Sequence, residues 1–152
     1  MPAFATTRST GVNAPAEIVH ALVDDFRQWR QWSPWEDLDP DLQRTYSGPA
    51  KGVGSRYAWS GNKRAGSGTM EIVSSTPTRI VVDLRFTAPF KATNTATFDL
   101  TPGPTGETTT VDWTMSGERN LAFAVLGRLF LDRAIAKDFD KGLAQLKAAA
   151  ER

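Results

Sequence analysis

The spacing of apolar residues near the C-terminus predicts a long amphipathic helix over residues 132–150. Ile135, Phe139, Leu143 and Leu146 recur at intervals of three and four residues, and this spacing places all four side chains on one face of a helix. An apolar face of this width requires a packing partner. The segment before the helix supplies one, because it carries the pattern of a sheet.

Upstream of the helix, residues 42–115 alternate apolar and polar residues, as strands of an antiparallel sheet with one covered face do. An earlier segment, residues 4–12, is rich in threonine and also favours a strand. The later predicted strands contain residues 42–47, 56–60, 70–72, 80–86, 92–100 and 111–115. Short turns at residues 61–62, Pro77, Pro89 and residues 102–106 connect neighbouring strands, so we expect about seven strands in a meander.

Two short helices are predicted between the first strand and the second. Asn13 is a suitable N-cap for a helix that begins near Pro15 and ends at Asp24. A second helix follows over residues 26–32 and ends before Pro34, because proline disrupts a helix interior. Near the other end of the chain, the apolar residues 121–131 predict either a short separate helix or one long helix with a bend near Gly127.

Composition narrows the class of protein. The chain has 152 residues, 40% of them hydrophobic, which suits one domain over residues 1–152. Its 18 basic and 17 acidic residues leave a formal charge of +1, and no basic stripe predicts nucleic-acid binding. The chain has no cysteine, no signal-peptide pattern and no apolar run of membrane-spanning length, so we expect a cytoplasmic protein without membrane insertion. Its oligomeric state cannot be predicted.

Several short motifs, in a fixed order along nearly the whole chain, resemble the SRPBCC or START-like superfamily, in particular its polyketide cyclase/dehydrase-like branch. They are residues 32–36 (WSPWE), 54–62 (GSRYAWSGN), 66–68 (GSG), Pro77, residues 113–117 (WTMSG), and residues 138–143 (DFDKGL) followed by Leu146 and Lys147. The resemblance implies an α+β helix-grip fold, in which a curved antiparallel sheet wraps around the C-terminal helix and encloses an elongated apolar pocket. The superfamily includes lipid carriers, hormone-binding proteins, cyclases, dehydrases and an activator of a heat-shock ATPase, so the fold alone does not define an activity.

Projecting the alternation onto this architecture places many large side chains on the helix-facing side of the sheet. They either fill a core or line a cavity. Gly142 leaves room beside Phe139 that a ligand or a sheet side chain must fill. The candidate cavity residues are Trp32, Trp35, Tyr57, Trp59, Met70, Ile72, Leu84, Phe86, Asn94, Phe98, Trp113, Met115 and Phe139.

Polar candidates for chemistry are few. The alternation puts the Asn94 amide on the covered face, where an unpaired amide costs about 1–3 kcal/mol, so it either faces a ligand or bonds to the backbone. Glu36 and Asp37 follow Trp35 and are weak candidates for an acid and a base at the cavity mouth, although loop carboxylates are usually solvated. Together with Tyr57, these residues are the catalytic candidates.

No cofactor or metal site is predicted. His20 is the single histidine, and its position in the first predicted helix favours a partly packed residue over a general base. With no cysteine, the chain has no zinc-ligand spacing. The glycines at positions 48, 52, 54, 66 and 68 match neither a P-loop nor a dinucleotide-binding motif, because neither group opens a helix.

Three hypotheses of function follow. The leading hypothesis is binding of a small hydrophobic ligand, lipid-like or aromatic, in a cavity between the sheet and the C-terminal helix. The second is an enzyme of the polyketide cyclase or dehydrase type. The third is a protein-interaction domain that resembles the heat-shock ATPase activator.

Overall fold

The computed structural model describes residues 3–34, 39–62, 66–88, 91–118 and 128–152. The described residues form seven strands, two α-helices and one short 3₁₀ helix. In chain order they are β1 (Ala3–Val12), α1 (Ala16–Val23), the 3₁₀ helix (Gln28–Gln31), β2 (Gln43–Ser47), β3 (Arg56–Ser60), β4 (Ser67–Thr76), β5 (Arg79–Ala88), β6 (Ala92–Pro102), β7 (Thr109–Glu118) and α2 (Arg128–Ala150).

All seven strands form one antiparallel sheet in the order β1-β7-β6-β5-β4-β3-β2. Strands β2 to β7 are a meander, whereas β1 returns to pair with β7, so that Arg8 lies opposite Trp113. The inner face of the sheet is the face that carries Trp113, and α2 packs against it through Phe139, Leu143 and Leu146, all at most 2% exposed. The predicted α+β helix-grip fold is confirmed.

Several predicted boundaries need correction. Helix α2 begins at Arg128, four residues before the predicted start at residue 132, because Arg128, Leu129 and Leu131 are also good helix formers. The second short helix is a single 3₁₀ turn, Gln28–Gln31. Pro89, Gly127 and residues 119–127 lie outside the described residues, so the turn and the bend predicted there stay predictions.

Asn13 does not cap α1. The N-cap is Pro15, which makes no side-chain capping hydrogen bond. The backbone N–H of Asn13 instead donates to Glu151 Oε2 over 2.8 Å. This bond ties the start of α1 to the end of α2.

A bulge in β4 changes which residues face inward. The pairing of β4 with β5 shifts between Ile72 and Ser74, and the extra residue, Val73, is 47% exposed. After the bulge, Ser75 lies opposite Ile80 on the inner face. Bulges bend a strand and increase its twist, which helps this sheet to curve around α2.

The centre of the molecule is a solid aromatic cluster formed by Trp29, Trp32, Phe98, Trp113 and Phe139, called the central cluster below. The Trp113 and Phe139 rings stack with centroids 3.9 Å apart and planes 6° apart. Trp113 also stacks on Phe98 at 5.0 Å and meets Trp32 edge-on at 5.5 Å. Offset-stacked and edge-to-face pairs of this kind add about 0.5–1.5 kcal/mol each to the area that they bury.

The 3₁₀ helix is held against α1 by the two tryptophans of the cluster. The indole N–H of Trp29 donates to the carbonyl of Val23 over 2.8 Å, and that of Trp32 donates to the carbonyl of Leu22 over 2.9 Å. Both rings therefore enter the core with their polar atoms satisfied.

Helix α2 also covers the outer edge of β1. Lys147 Nζ donates to the carbonyl of Gly11 over 2.9 Å, and Arg8 forms a salt bridge with Asp140 at 2.8 Å. An uncovered edge strand is a template for pairing with another chain. Side chains of α2 satisfy part of this edge from within the molecule.

Candidate ligand-binding face

The predicted cavity residues fall into two groups on the inner face. The first group is packed solid: Trp32, Phe98, Trp113 and Phe139 are at most 1% exposed and belong to the central cluster. Rings at stacking distance leave no space for a ligand between them. Ile72 and Met115 are also buried, at 0% and 4% exposure.

The second group is less covered. Of the predicted residues it contains Tyr57, Trp59 and Phe86. Together with Tyr46, which was not predicted, they follow one another across strands β2, β3 and β5 and are called the aromatic row below. Ring centroids are 5.3 Å apart between Tyr46 and Tyr57, 6.1 Å between Tyr57 and Trp59 and 5.7 Å between Trp59 and Phe86. Tyr46, Trp59 and Phe86 are only half-buried although they lie on the inner face.

Strand register brings the floor of this face together. Tyr46 lies opposite Tyr57, Tyr57 opposite Met70, Met70 opposite Leu84, and Leu84 opposite Asn94. Cross-strand neighbours have Cβ atoms within about 5.5 Å, so these five side chains form a continuous line across the sheet. Met70 and Leu84 are buried at 9% and 4% exposure, which gives an apolar floor next to the aromatic row.

Gly68 allows Trp59 to lie flat across β4. The two residues are register partners. A Cβ on Gly68 would lie 2.6 Å from Trp59 Cη2 and would overlap the carbonyl oxygen of Arg85. The absent side chain therefore sets the orientation of the Trp59 ring toward Phe86.

Gly117 plays the corresponding part for Asn94. The two residues are register partners on β7 and β6, and Asn94 Oδ1 fills the position next to Gly117 that a Cβ would need. Asn94 is half-buried. Its amide lies on the inner face as the alternation predicts, and contact with a ligand stays a prediction.

The position of the remaining candidates relative to this face is not described. Trp35, Glu36 and Asp37 lie outside the described residues, so their predicted roles at a cavity mouth are untested. Within the part of the chain that the structure describes, no group of three or more His, Cys, Asp or Glu side chains is arranged to hold a metal ion.

A surface cleft of about 550 Å³ lies elsewhere, at the other end of β4 from Gly68. It is an open cleft between α1 and the turns that follow β4 and β6, not a pocket between the sheet and α2. Its lining residues are Pro15, Ala16, Glu17, His20, Ser75, Thr76, Pro77, Thr78, Pro102 and Gly106.

His20 has polar partners that sequence spacing does not reveal. Its Nε2 lies 3.3 Å from Ser75 Oγ, and Ser75 Oγ donates to Asp24 Oδ1 over 2.7 Å. Asp24 is 8% exposed. Because Ser75 gives its proton to Asp24, it accepts from His20, and the three residues join α1 to β4.

Two parts of the face were missed by sequence reasoning. Tyr46 belongs to the aromatic row, and the alternation of Leu42, Arg44 and Tyr46 could have placed it on the covered side. Arg27 was missed because it reaches the row from the segment between α1 and the 3₁₀ helix. Its guanidinium carbon is 4.6 Å from the Tyr46 ring centroid, a contact between distant segments that no local pattern predicts.

The fold and the aromatic residues on the inner face of the sheet define a helix-grip protein. Comparison with protein families then identifies its family. Residues 3–151 match the family described as polyketide cyclase / dehydrase and lipid transport. The chain belongs to this family, and the predicted resemblance is confirmed. No curated protein matches the chain significantly.

Solved structures share the fold at low sequence identity. A protein from Nitrosospira multiformis is 22% identical over 95% of this chain and 94% of its own length, with a TM-score of 0.67. The Aha1 dimer from Colwellia psychrerythraea is 17% identical over 97% of this chain and 96% of its own, with a TM-score of 0.68. The di-domain ARO/CYC BexL of the BE-7585A biosynthetic pathway is 20% identical over 99% of this chain and 50% of its own, with a TM-score of 0.71.

The family description names polyketide cyclases, dehydrases and lipid transport, and the structural neighbours include an ARO/CYC protein and an Aha1 protein. These similarities therefore support the fold and not one activity. Among the helices that the structure describes, none has the length and apolar character needed to cross a membrane.

Proposed function

We propose that the protein binds a small, largely apolar ligand, aromatic or lipid-like, on the aromatic row between the inner face of the sheet and α2. One observation carries this proposal. Tyr46, Trp59 and Phe86 are only half-buried on a face whose neighbouring central cluster is completely buried. Large aromatic side chains that stay partly accessible together on the inner face of a curved sheet are typical of ligand sites.

The position of the ligand follows from packing. The central cluster is filled by its own rings, whereas the aromatic row offers ring faces and the apolar floor of Met70 and Leu84. Burying apolar area on this wall stabilises a complex by about 25 cal/mol per Å². The Asn94 amide, at the edge of the same floor, supplies a hydrogen bond that orients a polar group of the ligand.

A binding titration tests the proposal. Nile red, a neutral apolar fluorophore, is expected to bind the wild type and to bind Trp59→Ala at least tenfold more weakly, because Trp59 is the centre of the row. Native mass spectrometry of the purified protein is expected to show a co-purifying small molecule.

Val73→Ala is the matched control, since Val73 is an exposed apolar residue at the β4 bulge and not part of the row. It should bind Nile red as the wild type does. Equal binding by wild type and Trp59→Ala, or equal loss in both variants, would contradict the proposed site.

A second candidate function is a cyclase or dehydrase type of reaction, which family membership and two polar groups on the inner face favour. Asn94 and Tyr57 share one line across the sheet through Leu84 and Met70. Both supply hydrogen bonds that would stabilise an enolate during ring closure.

If the protein is an enzyme, Asn94→Ala should still bind Nile red but should lose turnover of a linear polyketide. Turnover that persists in Asn94→Ala would remove Asn94 from the mechanism.

A further inference from the structure

Two arginines border the aromatic row at the β2 edge of the sheet. The guanidinium group of Arg27 lies over the Tyr46 ring, 4.6 Å from its centroid. The backbone N–H of Arg27 donates to Asp25 Oδ1 over 2.9 Å, which holds the backbone in place while the side chain extends over the ring.

The second arginine, Arg44, lies on the inner face of the sheet. It precedes Tyr46 by two residues, so both share one face of β2, and it lies opposite Trp59. The strand pairings show which residues of β2 to β7 lie on the inner face. Among the described residues of these strands, Arg44 is the one charged residue on that face. It is half-buried, so a ligand on the aromatic row would lie next to its charge.

Arg27 has hydrogen-bond donors to offer to an anion. A guanidinium group has its N–H donors in its own plane, where they bind carboxylate or phosphate oxygens in pairs. Arg27 forms no salt bridge with the residues that the structure describes. Contact with Tyr46 places this cation directly beside the apolar wall.

We propose that the ligand is an amphipathic acid: its apolar body lies on the aromatic row, and its terminal carboxylate or phosphate group is bound by Arg27 and Arg44. This inference rests on the proposed function and adds the chemical class of the ligand. The anionic end stays at the edge of the sheet, where Arg27 is exposed, so the ligand charge needs little desolvation.

Calorimetric titration with a matched pair of probes tests the inference. 2-Naphthoate and 2-naphthylmethanol share the same apolar body and differ in charge. The wild type is expected to bind the acid at least tenfold more tightly, the discrimination typical of a hydrogen-bonded charge pair. Arg27→Gln and Arg44→Gln should each remove most of this preference and leave the affinity for the alcohol unchanged.

Arg56→Gln is the control, because Arg56 pairs with Glu71 at 3.0 Å on the other face of the sheet; it should retain the preference. Equal affinity of the wild type for acid and alcohol would overturn the inference and leave the proposed function standing. Failure of both probes and of Nile red to bind would remove the proposed function itself. An equal loss of both probes in Arg27→Gln would assign Arg27 a structural role on Tyr46 and would also overturn the inference.

Carboxylate and phosphate ligands are separated by two further probes, dodecanoate and dodecyl phosphate. Tighter binding of dodecanoate assigns the site to fatty or polyketide-type acids, and tighter binding of dodecyl phosphate assigns it to phospholipid-type head groups. Either result supports the amphipathic acid, provided that Arg27→Gln weakens the binding of the preferred probe. If it does not, the arginines do not recognise the anion.

Discussion

At the scale of single residues, the structure shows what fills the space that Gly142 leaves beside Phe139. The space that glycine leaves on α2 is filled by the protein, since a Cβ on Gly142 would lie 2.9 Å from both Trp113 Cζ3 and Pro34 Cδ. Trp113 stacks on Phe139 in this space. Phe139 is therefore a core residue at this contact, and its contact with a ligand stays a prediction.

Gly142→Ala is expected to destabilise the protein by about 1–3 kcal/mol, because rigid rings must move to admit the methyl group. The measurement is urea-induced unfolding, read as a lower midpoint at unchanged slope. Gly11→Ala is the control, since nothing lies within 4 Å of a Cβ at Gly11. Stabilisation of Gly142→Ala by up to about 1 kcal/mol, as helix propensity alone predicts, would contradict this account of the packing.

Gly68→Ala tests the same reasoning in the aromatic row. The added methyl group collides with the Trp59 ring and the Arg85 carbonyl, so Trp59 must leave its place against Phe86. We expect at least tenfold weaker Nile red binding and a changed near-ultraviolet circular dichroism spectrum. Binding like that of the wild type would show that the orientation of Trp59 is not needed by the ligand.

At the scale of elements, the strands were predictable because alternation is a local property of the sequence. The β4 bulge at Val73 was not predicted. In the structure the inward residues Met70 and Ile72 are followed by Ser75 and not by Ser74, and two adjacent serines do not reveal this change of face in the sequence. Sequence spacing predicted the face on which Asn94 lies. It could not predict that Arg27 reaches Tyr46, because their contact depends on how the segment after α1 packs across the sheet.

The contact between Asn13 and the end of α2 gives a prediction for pH. The backbone N–H of Asn13 and then the Lys147 ammonium group lower the pKa of Glu151 from its ordinary value of 4.5. Because the pKa is lower in the folded state, this contact stabilises the fold above about pH 4.5, and the stabilisation is lost as pH falls through the folded-state pKa. Glu151→Gln should therefore have a slightly lower Tm than the wild type at pH 7, and the difference should disappear on acidification.

Thermal unfolding at several pH values measures this difference. Glu107→Gln in the β6–β7 turn is the control. The Glu107 carboxylate forms no salt bridge or hydrogen bond with the residues that the structure describes, and the Glu107 backbone N–H donates to Thr105 Oγ1. A difference between Glu151→Gln and the wild type that stays constant from pH 7 to pH 3 would show that the charge of Glu151 is not the cause.

At the scale of the whole molecule, the fold was predictable and the location of open space was not. The motifs span the chain in order, and the family match over residues 3–151 bears them out. Whether the inner face is filled or open depends on how rings from distant segments pack, as in the stack of Trp113 on Phe139. The cleft beside His20 arises from α1 and two turns, and no pattern within one segment predicts their meeting.

Ligand binding on the aromatic row should also stabilise the whole fold, because the row exists only when β2 to β5 are assembled. A ligand at 100 times its Kd adds about 2.7 kcal/mol to the free energy of unfolding. For a chain of this length, that corresponds to a rise in Tm of roughly 5–11 °C. We expect 2-naphthoate to produce this rise in the wild type and in Val73→Ala. At the same concentration it should produce about half of the rise or less in Trp59→Ala, because a Kd that is tenfold weaker leaves about 1.4 kcal/mol. A similar rise in Trp59→Ala would mean that the acid binds elsewhere, and the cleft beside His20 would then be the surface to test.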